Sequence, residues 1–148
     1  MAVYTTIDDL KKRLDPEILA GLADDVNTPP DIADPDTVAA LNYAIADGAN
    51  LIDSYLLGRA DLAAAAVQAA LERMNATLAL YFLYRRRYVD DALNPLAAAK
   101  EAITSHLAAV AAGKIKIDDG EEGEPEMIVF STTEAEERVL DKEALGRF

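Results

Sequence analysis

Apolar residues recur at steps of three and four along most of the chain, a spacing that places them on one face of an α-helix. The longest such stripe crosses residues 35–57, and two more cross residues 63–87 and 95–112. The stripe in residues 35–57 consists of Val38, Leu41, Ala44, Ile45, Gly48, Ile52, Tyr55 and Leu56. The pattern therefore predicts three long helices, each with one face for a shared core.

Start signals precede these segments and also mark two shorter helices. A side chain that can cap the first turn stands before each predicted start, and proline follows it in most cases. These signals are Thr5 or Thr6, Asp15-Pro16, Asp34-Pro35 and Asn94-Pro95. They predict short helices over residues 7–14 and 16–22. Gly58 and Gly113 are expected to end the third and fifth helices.

Gly48 lies inside the longest stripe, although an interior glycine costs a helix about 1 kcal/mol relative to alanine. We expect it to let another backbone come close. The connections between the predicted helices are short, which favours mostly antiparallel neighbours. The predicted fold class is therefore all-α: a small antiparallel helical bundle of two short and three longer helices.

Residues 24–36 interrupt the helices with three prolines and five aspartates. An EF-hand calcium loop needs a glycine in the middle of its acidic positions, and this segment has none. The prolines also break the required register. A solvated loop with helix caps is the preferred interpretation, and no metal site is predicted.

The character of the chain changes after Lys114. Ile115 and Ile117 alternate with polar residues, residues 127–130 are also β-prone, and six acids lie between them in residues 118–126. We expect a bundle over residues 1–117 and an acidic extended arm over residues 118–148, with one or two short β-strands. Because its apolar patches are too small for a core, the arm is expected either to be disordered or to be held by a partner, and its apolar runs suit docking on one. The partner-binding candidates are Met127, Ile128, Val129, Phe130, Val139, Leu140, Leu145 and Phe148.

Composition narrows the classes of function. The chain has no cysteine, which excludes disulfides, thiolate metal sites and cysteine catalysis. Its net charge of −13 opposes tight binding to nucleic-acid phosphates. The first residues lack the basic and apolar parts of a signal peptide, and no apolar run approaches the ~18 residues of a membrane span. We expect no membrane association.

No residue pattern indicates catalysis. His106 is the only histidine, and its neighbour Ser105 points in another direction on the same predicted helix. Phosphate-binding glycine loops and zinc motifs are also missing, so we expect no enzymatic activity and no cofactor. One basic-aromatic cluster stands out, consisting of Arg85, Arg86 and Arg87 with Tyr81, Tyr84 and Tyr88. It could bind phosphates or stack on bases, but a structural or intersubunit ion pair is the preferred interpretation.

Five segments together resemble one known family, the small helical head–tail connector, or adaptor, proteins of Mu-like tailed bacteriophages and prophages. The segment YTTIDDL of residues 4–10 is similar to that family's Tyr-x-Thr-x-x-Asp-Leu opening. Residues 44–59, AIADGANLIDSYLLGR, resemble its Ala-Ile helix and Tyr-Leu-x-x-Arg corner. Similar segments follow at residues 78–87 (LALYFLYRRR), 111–117 (AAGKIKI) and 138–148 (RVLDKEALGRF).

The resemblance implies a structural protein of the virion head–tail interface, assembled in the host bacterial cytoplasm. Such adaptors form a ring, commonly twelvefold, under the portal protein, and they extend the DNA channel toward the tail. The implied partners are the portal protein, neighbouring copies in the ring and a downstream neck or tail-completion protein. Double-stranded DNA would pass through without specific binding. Five residues are expected to serve assembly or structure: Tyr55, Arg59, Arg85, Arg86 and Arg87.

Arg59 is expected to hold the corner after the third helix, against Asp53 or an acid of a neighbouring copy. A different class of function also fits the sequence: an acidic helical interaction module, such as a DNA-mimicking inhibitor or a regulator that binds a basic protein. Such a module would be monomeric or dimeric, with its carboxylates patterned on one face.

Overall fold

A computed structural model describes residues 4–57, 65–88 and 90–117 of the chain. In this part of the molecule it shows five α-helices and a short 3-10 helix, and it contains no strand. The α-helices are α1 (Ile7–Arg13), α2 (Pro16–Ala23), α3 (Pro35–Leu56), α4 (Ala65–Arg87) and α5 (Ala97–Ala111), and the 3-10 helix is Asp91–Leu93. The predicted helical class is confirmed for the described residues, and the predicted helix ends differ from these by one or two residues.

Local capping chemistry explains where most helices begin. Thr6 and Asp9 form a reciprocal capping box at α1, in which each side chain accepts a hydrogen bond from the other residue's backbone N–H. Asp15 accepts from the Glu17 N–H at 2.8 Å ahead of α2. Asp34 accepts from the Asp36 N–H at 3.0 Å ahead of α3. These caps were predicted and are confirmed.

The C-terminal end of α5 is closed by the left-handed residue that the sequence indicated. Gly113 has φ 72°, and its N–H donates to the Val110 carbonyl at 2.9 Å. The next N–H, of Lys114, donates back to the Ala109 carbonyl at 2.9 Å. This pair of bonds is a Schellman motif, which satisfies carbonyls that the helix itself leaves unpaired.

The start of α5 differs from the prediction. Asn94 was expected to cap a helix over residues 95–112, but α5 begins at Ala97, and Leu96 precedes it without a side-chain cap. The Asn94 side chain is buried instead: it donates to the Tyr81 carbonyl at 3.1 Å and accepts from the Leu96 N–H at 3.0 Å. Asn94 therefore ties the chain to α4, a tertiary role that local spacing does not indicate.

Two apolar clusters show how the long helices run. The first cluster joins α1 and α2 to the N-terminal half of α3 and the C-terminal half of α4; it includes Leu10, Leu19, Leu22, Leu41, Ile45, Leu80 and Leu83. The second cluster joins the other halves of α3 and α4 to the end of α5; it consists of Ile52, Leu56, Val67, Leu71, Leu78, Leu107 and Val110. This pairing makes α4 antiparallel to α3 and α5, as predicted.

Gly48 lies where α3 packs closely against α4. A Cβ atom placed on it would lie 2.4 Å from the Asn75 Oδ1, 3.2 Å from the Asn75 carbonyl oxygen and 3.2 Å from the Leu78 Cβ. The expectation that Gly48 lets another backbone approach is confirmed. Its neighbour Asn75 is fully buried, and neither its side-chain oxygen nor its nitrogen has a hydrogen-bond partner within the described ranges.

The strand expected at Ile115 and Ile117 is not formed, so this prediction is wrong for residues 115–117. Ile117 packs against the second cluster instead. A strand needs a partner for its backbone hydrogen bonds, and the described residues offer none. Gly58 and residues 118–148, with the second predicted strand at 127–130, lie outside the described residues. The division between bundle and arm stays a prediction.

Candidate assembly surfaces

Arg86 and Arg87, at the end of α4, close the C-terminal end of α2. The Arg86 Nη1 donates to the Ala23 carbonyl at 2.9 Å, and the Arg87 Nη2 donates to the Asp24 carbonyl. Both guanidinium groups also pair with the Asp25 carboxylate, Arg87 at 3.1 Å from its Nη1 to Oδ1. The last carbonyls of a helix lack intrahelical donors and carry partial negative charge, so two cations at this position are stabilising.

This arrangement bears on the interpretation of the arginine cluster. Two members of the cluster, Arg86 and Arg87, already donate hydrogen bonds to backbone carbonyls and pair with Asp25 of the same chain. A phosphate would have to displace these contacts. Tyr84 and Tyr88 stack on each other, with ring centroids 6.3 Å apart, rather than standing apart as a platform for bases. Within the described residues, Arg86 and Arg87 therefore join helices of one chain.

Asp24 organises the loop that follows α2. Its Oδ1 accepts from the N–H groups of Val26 (2.9 Å) and Asn27 (3.0 Å), and its Oδ2 accepts from the Asn27 side chain (2.9 Å) and the Asp31 N–H (2.8 Å). The residue is only 7% exposed. Backbone hydrogen bonds to the ionised form hold the pKa of the Asp24 carboxyl well below its usual range. The acid-rich loop is thus folded around one carboxylate.

Asp24 gives the fold a predictable sensitivity to acid. Because its pKa is lower in the folded chain than in the unfolded chain, its contribution is present above the ordinary value near 3.8 and is lost as the pH falls below it. We expect Asp24→Asn to be less stable than the wild type at pH 7, and this difference to shrink between pH 4 and pH 2. Urea unfolding across that range measures it.

Asp47→Asn is the matched control for this substitution because it removes the same charge from an exposed position on α3. It should leave the pH dependence of the free energy of unfolding close to that of the wild type. An Asp24→Asn variant whose stability falls with acid as steeply as the wild type's would contradict the role assigned to the carboxylate.

Arg85 has a different environment from its two neighbours. Its side chain is exposed, and no carboxylate of the described chain lies within 4.0 Å of its guanidinium. It stands beside Tyr81, whose hydroxyl donates to the Asp91 carboxylate at 2.9 Å. Burial and this hydrogen bond raise the pKa of Tyr81, and Arg85 opposes the rise. Arg85 therefore interacts with Tyr81 but has no carboxylate partner among the described residues.

Arg85 lines a cleft of about 530 Å³ between α3 and α4, here called the α3–α4 cleft. Its lining is mainly apolar and consists of Ala40, Tyr43, Ala44, Asp47, Phe82, Arg85 and Arg86. Tyr43 stands at the edge with 73% of its surface exposed. Exposed aromatic side chains and arginines, such as the two that line this cleft, are enriched at protein interfaces.

A second, larger groove lies on the other side of Tyr43, between α3 and the start of α1. Its volume is about 830 Å³, and small side chains such as Ala39, Ala46 and Ala49 leave it open. Thr5 lines it and is buried, and its hydroxyl lacks a hydrogen-bond partner in the described part of the chain. Tyr43 is thus a ridge between two concave surfaces of α3.

The N-terminal segment is held to the end of α3. The Tyr4 hydroxyl donates to the Asp53 Oδ1, and Tyr4 packs against the second cluster with Tyr55. Burial and the carboxylate partner raise the pKa of Tyr4 to about 12. Asp53 was an expected partner of Arg59, which lies outside the described residues. Among the described residues, Asp53 accepts a hydrogen bond from Tyr4, and Tyr55 packs against the second cluster.

The structure therefore locates part of the predicted set. Tyr55, Arg85, Arg86 and Arg87 are described; Arg59 and all eight partner-binding candidates of the arm lie outside the described residues. Sequence reasoning missed Tyr43, although an aromatic residue between the apolar positions of the α3 stripe is recognisable in the sequence as a candidate for an exposed surface aromatic. It also missed Asp24, because nothing in the sequence distinguishes it from the other loop aspartates.

His106 lies half-buried on α5, and no group of three or more histidine, aspartate or glutamate side chains in the described ranges could hold a metal ion. None of the described helices is both long enough and apolar enough to cross a membrane.

Comparison with known families gives one result. Residues 4–128 match the family model described as Bacteriophage Mu, Gp36. The match spans all five helices and the cleft, and it reaches the start of the β-prone run at residues 127–130. A search of the curated proteins found no match to the chain.

Proposed function

This chain belongs to the bacteriophage Mu Gp36 family, and on that premise we propose that it is the head–tail connector, or adaptor, of a tailed bacteriophage or prophage. Membership supports a structural or morphogenetic protein of a phage and its association with the virion. In the proposed role, copies form a ring under the portal protein, extend the DNA channel and join the head to the tail. The family match over residues 4–128 is the observation that carries this proposal.

The described surfaces suit such a role. A closed ring needs heterologous contacts, in which one surface of a copy meets a different surface of its neighbour. Tyr43 and the two concave surfaces beside it offer one such surface on α3. Tyr55 and the paired arginines Arg86 and Arg87 hold the bundle together, so that these surfaces keep a fixed shape.

The proposed partners follow from the same role. The portal protein and a downstream neck or tail-completion protein would meet the ring at its two ends. The apolar runs of the arm, Met127 to Phe130 and Val139 to Phe148, would dock on partners. Double-stranded DNA would pass through the ring without specific binding, since a net charge of −13 disfavours adhesion to phosphates. The role requires no catalysis, cofactor or membrane.

Loss of the protein from its own phage tests the connector role. A phage that lacks the chain should produce DNA-filled heads and complete tails that do not join, and purified chain added to a mixture of the two should restore joined particles. Electron microscopy and infectivity measure both results. Normal virions without the chain, or the chain found only in solution bound to a basic protein, would contradict the proposal and favour the acidic regulator.

A further inference from the structure

The α3–α4 cleft presents two features that remain unmatched in the described chain. Its apolar lining includes Ala40, Ala44 and Phe82 and opens beside the exposed Tyr43 ring, and Asp47 also lines it. At the same cleft, Arg85 has no carboxylate partner within 4.0 Å among the described residues. Arg86 also lines the cleft, but its donors are committed to Ala23 and Asp25. An occupant that matches the cleft brings apolar side chains with adjacent carboxylates.

We propose that residues 121–130 of a neighbouring copy occupy the α3–α4 cleft, an inference that rests on the proposed ring. The segment reads EEGEPEMIVF, with four glutamates followed by four apolar residues. The glutamates complement Arg85, and the apolar run covers Phe82 and Tyr43. One continuous stretch of chain thus supplies both a partner for Arg85 and a cover for the apolar lining. The assignment gives the first apolar run of the arm to a contact between copies, and leaves residues 139–148 for the portal or neck protein.

The positions of the two elements in the bundle favour a neighbouring copy. Ile117, the last described residue, packs against the second cluster, whereas Ala40, Ala44 and the cleft belong to the first cluster at the opposite ends of α3 and α4. A segment that leaves at one end and a cleft at the other form a heterologous pair, as ring closure requires. The ten residues from 117 to 127 span at most about 33–36 Å, more than the roughly 18 Å of helix between Leu56 and Ala44, so the variant with both cysteines distinguishes a neighbour's cleft from the chain's own.

Disulfide trapping tests this contact, because the chain has no cysteine of its own. One copy carries Asp47→Cys, at the edge of the cleft, and a second carries Met127→Cys. The two are mixed and oxidised, both in solution and on tail-less heads. We expect a covalent dimer to form at least about tenfold faster than with the control Ser54→Cys, an exposed position two turns further along α3.

Charge reversal tests the role of Arg85 in the same mixture. Adding Arg85→Glu to the Asp47→Cys copy should slow dimer formation by about tenfold, and adding Glu124→Arg and Glu126→Arg to the other copy should restore it. A chain that carries both cysteines should link mainly to other copies. Closure of the disulfide within one chain, trapping no faster than with Ser54→Cys, or no effect of Arg85→Glu would each overturn the inference.

The outcome is separable from that of the connector proposal. If phage with Arg85→Glu join heads to tails normally and no trapping occurs, this contact is wrong and the connector role stands. If trapping occurs as expected but the chain is absent from virions, the connector role is wrong and the contact between copies stands.

Discussion

Gly48→Ala is expected to destabilise the protein by about 1–2 kcal/mol, although alanine is the better helix former. The new Cβ would meet the Asn75 Oδ1 at 2.4 Å and two further atoms at 3.2 Å, one of them backbone. Overpacking of this kind costs about 1–3 kcal/mol, and the gain in helix propensity offsets up to about 1 kcal/mol. Because Asn75 is fully buried, its side chain cannot turn away into solvent. Chemical denaturation of the purified chain measures the loss.

A double-mutant cycle identifies the contact responsible. Asn75→Ala removes the closest colliding atom and two buried polar atoms that lack partners, so Gly48→Ala should cost much less in that background. The two atoms at 3.2 Å remain, so the rescue is incomplete. Gly21→Ala is the matched control: a Cβ there meets nothing within 4 Å, and we expect a gain of about 0.4–1 kcal/mol. Equal losses for Gly48→Ala with and without Asn75 would contradict this account of the helix crossing.

Arg86→Ala is expected to destabilise the protein by about 1.5–3 kcal/mol. Its guanidinium donates to the Ala23 carbonyl at 2.9 Å and more weakly to the Leu22 carbonyl at 3.4 Å, and hydrogen bonds to charged groups contribute about this much. The pair with Asp25 adds little, because both side chains are more than a third exposed. Loss of Arg86 leaves the Leu22 and Ala23 carbonyls without these donors, while Arg87 still donates to the Asp24 carbonyl. Thermal and urea unfolding measure the effect.

Arg85→Ala is the control for this prediction. It removes the same side chain one residue earlier on α4, where no carboxylate of the described chain pairs with it, and it should change the stability by less than about 0.5 kcal/mol. Together the two variants distinguish Arg86, which stabilises the fold, from Arg85, for which we propose a contact with a neighbouring copy. Similar losses of stability for both would contradict that division.

The helices could be predicted because their signals are local. A carboxylate or hydroxyl before the first turn, with proline or an acid after it, defines a helix start through contacts within three residues, and Thr6, Asp15 and Asp34 all act in this way. Gly48 was also predictable, since a glycine inside an apolar stripe has few physical explanations. Its partner Asn75 was not, because the facing residue depends on how α3 and α4 cross.

The differences arise where tertiary contacts override local preference. Asn94 has the form of a cap but bonds to the Tyr81 carbonyl, and Ile117 has the spacing of a strand but packs into a helical core. The candidate site could be predicted only in part. The sequence shows three adjacent arginines, but their directions around α4 decide that Arg86 and Arg87 face α2 while Arg85 faces the α3–α4 cleft.

Imaging of the purified protein mixed with its cognate portal tests the connector assignment most directly. We expect a closed ring of the chain seated on one end of the portal and coaxial with its channel. The ring should form only when the portal is present, or should be more stable in its presence. A protein that stays a monomer or dimer beside an unoccupied portal, at concentrations where heads and tails join, would contradict the assignment.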